Sequence, residues 1–217
     1  MKLLPTLDIT DAGVVNLDDE ARRWFVDNPN ALKDALLDPV TMQGVVDAMH
    51  HRLGVSWSYG GYLEDRSVLL AGSYLDETGG YIHLGIDVNV PAGTPISAPY
   101  SGQIVHVFDD GDESCGWGYR LIIKPDNDSI PYLILGHLSN SVVKLGDTVS
   151  TGDALAQVGS PPFNGRWFPH LHVQQISREY IASHEQEDFA SLDGYGHRDG
   201  IKDLRAEYPD PTWLLEG

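Results

Sequence analysis

The chain has 217 residues, and its 14 Lys and Arg against 32 Asp and Glu give a formal net charge of −18. A nucleic-acid partner, like an anionic membrane surface, requires a basic face, so this composition argues against both kinds of partner. Cys115 is the single cysteine of the sequence, which excludes an intramolecular disulfide and a multi-cysteine zinc cluster. Any metal ion must therefore be held by histidines and carboxylates.

The N-terminal residues MKLLPTLDITDAG contain a short apolar stretch interrupted by Pro5 and Asp8. This stretch is too short and too polar for a signal peptide, and no segment approaches the roughly 18 apolar residues of a membrane span. We therefore expect no membrane span and a cytoplasmic location for the sequence as written. A periplasmic or cell-wall location is expected if a signal sequence precedes it.

Residues 1–60 predict a helical N-terminal extension with three helices. The first begins at Asp18–Glu20 and ends before Pro29. The second begins at Asn30 and has an apolar stripe of Ala31, Leu32, Ala35 and Leu36. The third has Asp38 as N-cap, Pro39 in its first turn and Gly54 at its end, with Val45, Val46, Met49 and Leu53 on one face. Because this extension directly precedes the first histidine motif, one hypothesis is that it covers a groove and keeps the protein latent.

From about Tyr62, short β-branched runs alternate with Gly, Pro and Asn, a pattern typical of an all-β fold. The predicted strands are Ser67–Ala71, Ile82–Val88, Gly102–Phe108, Arg120–Lys124, Tyr132–His137, Leu155–Val158 and Leu171–Ile176. The acidic segment DDGDESCGWG, between Phe108 and Tyr119, predicts a solvated hairpin tip. The predicted fold is mainly β: an antiparallel core of two packed or closed sheets over 61–178, followed by a C-terminal extension, 179–217, whose Trp213, Leu214 and Leu215 pack on the core.

Four of the nine histidines lie in three short motifs: His83-Leu-Gly-Ile-Asp87, Gly136-His137-Leu138 and His170-Leu171-His172. Alternate residues of a strand face the same side, so His170 and His172 point into one site as a ligand and a neighbour. Four extended residues span about 13 Å, so His83 and Asp87 can reach one ion only if the chain bends, most easily at Gly85. A catalytic zinc takes three His or carboxylate ligands, which these motifs can supply.

The other candidate residues have simpler interpretations. We expect structural or solvent-exposed roles for the five remaining histidines, which are His50, His51, His106, His184 and His197. Cys115 lies in an acidic segment, which raises a thiol pKa and disfavours a nucleophilic role. Trp117, Trp167 and Phe168 can line a groove near the site, although packing under loops is the preferred interpretation.

From about Tyr81 to Ser177, the sequence resembles the lysostaphin-type zinc metallopeptidases, family twenty-three of the metallopeptidases. The resemblance rests on the three motifs and on four further stretches: Pro91-Ala-Gly-Thr-Pro-Ile-Ser-Ala-Pro, Gly102-Gln-Ile-Val, Gly118-Tyr-Arg-Leu-Ile-Ile and Gly146-Asp-Thr-Val-Ser-Thr-Gly152. The resemblance implies that His83, Asp87 and His172 bind one zinc ion and that His137 and His170 act beside the attacking water. It implies a zinc metalloendopeptidase that hydrolyses a peptide bond, with a peptidoglycan peptide as the default substrate. The substrate-binding residues are not implied.

One departure concerns the segment before His170, Ser160-Pro-Pro-Phe-Asn-Gly-Arg-Trp-Phe-Pro169, which is longer and bulkier than the family's Gly-rich approach. The arrangement also resembles metallopeptidase-like domains fused to kinase-like and aminotransferase domains, which lack export signals. The alternatives are thus a cytoplasmic zinc amide hydrolase on a small soluble substrate, a metal-binding but silent domain, or a biotinyl- or lipoyl-type carrier. The carrier interpretation lacks a lysine in the expected motif, since Lys124 and Lys144 are the only candidates.

Overall fold

A computed structural model of the chain describes residues 2–109, 116–184 and 189–216. Cys115 and most of the predicted hairpin tip lie outside the described residues. The helices are α1 (Leu17–Asp27), α2 (Pro39–Leu53), α3 (Leu75–Thr78), α4 (Arg178–Ser183), α5 (Ile201–Glu207) and α6 (Trp213–Glu216). The strands are β1 (Ala12–Val15), β2 (Trp57–Gly60), β3 (Ile82–His83), β4 (Ile86–Asn89), β5 (Pro95–Ser97), β6 (Gly102–Asp109), β7 (Tyr119–Pro125), β8 (Tyr132–Ser141), β9 (Thr148–Val149), β10 (Ala154–Val158), β11 (Leu171–Ile176) and β12 (Tyr195–Gly196).

The strands form one large sheet in the order β1-β2-β4-β11-β8-β7-β6-β9, with β10 pairing to β8 and β5 pairing to β10. Among the described strands the pairing is antiparallel except between β1 and β2, which are parallel. A separate two-stranded ladder joins β12 to β3. The central part of the chain is therefore mainly β as predicted, but the described strands form one extended sheet and a small ladder rather than two packed sheets.

Alternation along the central strands gives the sheet two buried faces. On one face, Leu121, Leu135 and Val173 pack into the largest apolar cluster together with Leu3 and Leu214 from the two ends of the chain. On the other face, Ile122, Ile134 and Ile176 pack under Leu192 and Tyr208 from the C-terminal segment. Leu214 and Leu215 are buried, whereas Trp213 is half exposed. Both ends of the chain therefore contribute to the packing of the sheet.

The N-terminal 60 residues contain more than the predicted helices, because β1 and β2 extend the main sheet from its β4 edge. α1 has Asn16 rather than Asp18 as its N-cap. α2 matches the prediction, with Asp38 as N-cap, Pro39 in the first turn and Gly54 in the left-handed conformation, although Leu53 on its predicted apolar face is exposed. The predicted second helix is wrong: a single 3-10 turn over Ala35–Leu37 buries only Leu36 and leaves Leu32 exposed.

The predicted strand Ser67–Ala71 is also wrong, because this segment forms turns. The backbone amides of Val68 and Leu69 donate to one carboxylate oxygen of Asp18 at 2.8 Å each. Leu69 and Leu70 pack with α1 and α2 in a second apolar cluster instead of pairing with a strand. The predicted strand Ile82–Val88 is split into β3 and β4 by Leu84 and Gly85.

Candidate metal centre and active site

The sheet register places two of the predicted ligands side by side. Asp87 on β4 is directly opposite His172 on β11 in the antiparallel ladder. The bend at Leu84–Gly85 turns β3 so that His83 faces the same point. Gly85 is required by close approach as well as by the bend, since a Cβ there would lie 2.4 Å from the carbonyl oxygen of Val173 and 2.8 Å from His172 Nε2. The structure therefore brings His83, Asp87 and His172 together.

The three ligand atoms form a compact triangle. His83 Nε2 lies 3.0 Å from His172 Nδ1, His172 Nδ1 lies 3.2 Å from Asp87 Oδ1, and Asp87 Oδ1 lies 3.4 Å from His83 Nε2. All three residues are buried and their ligand atoms meet the spacing required to hold one metal ion. Tetrahedral bonds of about 2.0–2.1 Å place neighbouring ligands about 3.3 Å apart. The triangle therefore fits one face of a tetrahedral metal site.

Hydrogen bonds on the far side of each ring determine which nitrogen is free. His83 Nδ1 lies 3.0 Å from the carbonyl oxygen of Gly61, which can only accept, so Nδ1 carries the proton. Gln174 Nε2 donates to the Asp193 carbonyl at 3.2 Å, which turns Gln174 Oε1 toward His172 Nε2 at 2.9 Å. His172 Nε2 is thus also a donor. His83 Nε2, His172 Nδ1 and the carboxylate oxygen of Asp87 face each other, an arrangement that a cation stabilises.

The surroundings of His83 and Asp87 favour the protonation states in which these side chains bind a metal ion. Burial lowers the pKa of His83 to about 3, so its ring is neutral. Burial acts against ionisation of Asp87, but the positive charge of the adjacent Arg66 opposes it, and the pKa of Asp87 lies well below its usual range. Arg66 Nη1 donates to Asp87 Oδ2 at 2.5 Å. The site therefore holds a neutral His83 ring and an ionised Asp87, the forms in which these two groups bind a metal ion.

The other two motif histidines, His137 and His170, lie next to the triangle. Their ring centroids are 4.3 Å apart, and His170 Nε2 lies 3.9 Å from Asp87 Oδ1. His137 Nδ1 lies 2.9 Å from the carbonyl oxygen of Asn164, and His170 Nδ1 lies 2.7 Å from that of Phe168. Each Nδ1 is therefore a donor, which leaves each Nε2 as an acceptor. Burial lowers the pKa of both rings.

His137 also has an unusual backbone, with φ +60. Only a small fraction of non-glycine residues adopt this left-handed conformation. Two backbone hydrogen bonds of 2.8 Å hold it there: His137 N donates to the Trp117 carbonyl, and Gly159 N donates to the His137 carbonyl. The conformation directs the ring away from the regular alternation of β8.

The segment Ser160–Pro169 orients both of these rings, because Asn164 and Phe168 supply their carbonyl partners. Asn164 is fully buried, and its side-chain amide donates to the carbonyls of Trp167 and Phe168 at 3.0 and 3.3 Å. Phe168 is fully buried and stacks on the ring of His170 at 4.7 Å. The bulky approach to His170 is therefore part of the active-site framework.

A cavity of about 320 Å³ opens onto the five site residues. Its walls include Trp117 and Trp167, whose rings meet His172 at 4.9 Å and His170 at 5.4 Å. These two tryptophans therefore line the cavity, which is the possibility that the sequence left open rather than the preferred one of packing under loops. The remaining wall is largely apolar and comes from the segments before and after the motifs, with Leu37, Leu70, Tyr74, Leu75 and Tyr195 among its residues.

The structure keeps the other histidines away from the triangle. His50 Nε2 pairs with Ser58 Oγ at 2.8 Å, His106 stacks with Phe108, and His184 stacks with Tyr180. His51 and His197 are exposed.

The sequence prediction missed the groups that orient the site side chains, which are Gly61, Arg66, Gln174 and Asn164. No local pattern marks them, because each acts through a contact between distant segments.

A buried His-Asp-His group with two further histidines beside it is a side-chain arrangement that could hold a metal ion. Comparison with known proteins gives the family: residues 81–183 match the model of peptidase family M23. The resemblance of this region to the lysostaphin-type peptidases is therefore confirmed.

Two curated relatives show the same relationship. Lysostaphin of Staphylococcus staphylolyticus is 33% identical over 123 residues, which is 56% of this chain and 24% of lysostaphin. The glycyl-glycine endopeptidase ALE-1 of Staphylococcus capitis is 31% identical over 116 residues, which is 52% of this chain and 30% of ALE-1. The chain thus spans less than a third of either relative.

The catalytic domain of lysostaphin from Staphylococcus simulans is similar in structure, with a TM-score of 0.39, 27% identity and coverage of 58% of this chain and 80% of that domain.

Among the described residues, no helix has the length and apolar character needed to cross a bilayer.

Proposed function

We propose that this protein is a zinc-dependent metalloendopeptidase that hydrolyses peptide bonds of the peptidoglycan type. The observation that carries the proposal is the buried triangle of His83 Nε2, Asp87 Oδ1 and His172 Nδ1, with sides of 3.0–3.4 Å. A donor set of two imidazoles and one carboxylate is typical of catalytic zinc, which keeps a further position for water or substrate. The match of residues 81–183 to peptidase family M23 supports this choice.

When bound, zinc would supply Lewis-acid chemistry, lowering the pKa of water and polarising the scissile carbonyl. The protein's own contribution to proton transfer comes from His137 and His170. Both Nε2 atoms are acceptors, so either ring can take the proton from the attacking water and later deliver it to the leaving amine. We leave the choice between the two rings open. The ring that takes up the proton becomes a donor, and so becomes able to stabilise the developing oxyanion.

Both rings are neutral and so able to accept a proton. Burial favours the neutral form of His137 and His170, so a proton acceptor is available near pH 7. Their carbonyl partners hold the rings in one orientation and reduce the entropy lost on reaching the reactive geometry.

For the substrate, the cavity offers aromatic and aliphatic walls beside the reactive centre. Such walls suit an extended peptide with apolar side chains. The similarity to a glycyl-glycine endopeptidase and to lysostaphin favours a cell-wall peptide as the default substrate. The alternative remains a soluble peptide or amide in the cytoplasm. A cell-wall substrate requires export of the enzyme, and a soluble one does not.

The non-catalytic alternatives have less support. A carrier domain needs a lysine at an exposed hairpin tip, whereas Lys124 lies within β7. A silent metal-binding domain does not require two neutral imidazoles held by backbone carbonyls next to the ligand triangle.

The test is incubation of zinc-loaded protein, and of a His137→Ala variant, with purified peptidoglycan and with soluble muropeptides, followed by mass spectrometry of the products. Cleavage of one peptide bond by the native protein alone supports a cell-wall endopeptidase. If stoichiometric zinc is bound and neither material is cleaved, the cell-wall assignment is wrong. Soluble peptide amides are then the substrates to test.

A further inference from the structure

Arg66 is fully buried and has no role in the proposed reaction. Its Nη1 donates to Asp87 Oδ2 at 2.5 Å, and its Nε donates to Glu64 Oε1 at 3.2 Å. Burying a guanidinium costs free energy unless it is paired with a carboxylate, and an arginine on the surface does not have this cost. Because the carboxylate paired with Arg66 belongs to a proposed metal ligand, we looked for a role of Arg66 at the metal site.

The geometry divides the two oxygens of Asp87. Oδ2 is occupied by Arg66, whereas Oδ1 points to the nitrogens of His83 and His172 at 3.4 and 3.2 Å. An N–H donor on one oxygen fixes the rotation of the carboxylate about its Cβ–Cγ bond. Arg66 thus selects a single oxygen for the ion and prevents both from turning toward it.

The same short segment also holds His83. The His83 amide donates to the Glu64 carbonyl at 2.9 Å, and the Leu63 amide donates to the His83 carbonyl at 2.9 Å. The carbonyl of Gly61 accepts from the His83 ring. Residues 61–66 therefore orient two of the three ligands, one through the backbone and one through Arg66.

Arg66 is itself held in place from the N-terminal helix. Glu64 Oε1, which accepts from Arg66 Nε, also accepts from the backbone amide of Asp18 at 3.3 Å. The start of α1 is thus connected to Asp87 through two buried side chains. Both connecting residues, Glu64 and Arg66, lie outside the motifs that resemble the family.

We infer that Arg66 is a positioning residue that makes Asp87 a one-oxygen metal ligand. The inference rests on the proposed metal centre and concerns how tightly and in which geometry the ion is held. Partners of this kind change metal affinity or activity by about 10–100-fold when they are removed.

The test uses the full chain, stripped of metal with a chelator and reloaded with Zn²⁺ or Co²⁺. Arg66→Gln removes the charge and the paired donors, and Arg66→Lys keeps the charge without the planar guanidinium. Arg178→Gln is the matched control, because Arg178 donates to the carbonyls of Pro125 and Ile130, which are not site residues. The readouts are Zn²⁺ affinity by chelator competition, the visible absorption of the Co²⁺ form and thermal stability without metal.

We expect Arg66→Gln to bind Zn²⁺ about 10–100-fold more weakly and to change the Co²⁺ spectrum. Arg66→Lys should lie between this variant and the native protein, and Arg178→Gln should lose stability alone. Native Zn²⁺ affinity and a native Co²⁺ spectrum in Arg66→Gln would overturn the inference and leave Arg66 a purely structural ion pair.

If Arg66→Gln does not fold, Arg66→Lys decides the question by the same two readouts, and unchanged values in it overturn the inference. Neither readout requires hydrolysis. A native protein that binds Zn²⁺ but cleaves no peptide therefore defeats the proposed function without touching this inference.

Discussion

The side chains proposed to bind metal and move protons all lie within residues 81–183, whereas many of the groups that orient them lie before or after that region. Gly61 and Arg66 come from the preceding segment and hold His83 and Asp87. The carbonyls of Leu36 and Leu192 accept from the indoles of Trp167 and Trp117, which form the cavity walls. The reactive side chains and many of the groups that orient them therefore come from different parts of this chain.

Deleting residues 1–60 tests the comparison most severely. We expect loss of the fold, because β2 pairs with β4 beside Asp87 and because Leu3, Leu4 and Trp57 belong to the main apolar cluster. Far-UV circular dichroism and thermal melting measure the effect. A folded protein with unchanged turnover would show that the N-terminal segment is dispensable. Higher turnover in a folded protein would instead support the hypothesis of a latent, covered groove.

Removing a proposed metal ligand tests residues 81–183, the region that contains the reactive side chains. His172→Ala should lose stoichiometric zinc, since it leaves only His83 and Asp87 of the triangle. Metal analysis after gel filtration measures this, and His51→Ala is the control because His51 is exposed and distant in the sequence from the motifs. Retention of one zinc per chain by His172→Ala would show that the ion is held elsewhere.

Removing a proton-transfer ring should separate binding from turnover. We expect His137→Ala to keep its zinc and to lose about 10²–10⁴-fold in kcat, the usual contribution of general acid–base catalysis. Metal analysis and peptide-cleavage kinetics on the same sample measure both quantities. A zinc-free His137→Ala protein would refute this division of roles.

The smallest effect is expected at the start of α1. Asp18→Ala leaves the amides of Val68 and Leu69 without their acceptor and should lower the free energy of unfolding by about 1–3 kcal/mol. Urea unfolding measures the change, and Asp19→Ala on the exposed side of the helix should cost less than about 1 kcal/mol. Equal losses in the two variants would mean that Asp18 acts only through the helix end.

Local chemistry explains what sequence reasoning predicted well. The Asp38-Pro39 start and the Gly54 end of α2 are determined by capping and backbone preferences within the helix itself. The bend at Gly85 followed from the distance that two side chains must span. The motif histidines were identifiable because their residue type and spacing suit a metal.

The errors arose where tertiary contacts decide the local structure. The apolar segment Ser67–Ala71 was predicted as a strand, yet the carboxylate of Asp18, some fifty residues earlier, accepts from the amides of Val68 and Leu69 instead. Asn30–Leu37 had an apolar stripe but formed one turn. Arg66 carries no local sign of its role, because a metal ligand twenty-one residues away defines that role.

The left-handed backbone of His137 has a consequence for how this protein can change. A non-glycine residue in that conformation costs roughly 1–2 kcal/mol, which glycine would avoid. Selection for folding alone would therefore favour the loss of the imidazole at this position. A glycine would avoid this cost but would remove the imidazole, so position 137 marks a local trade-off between stability and chemistry.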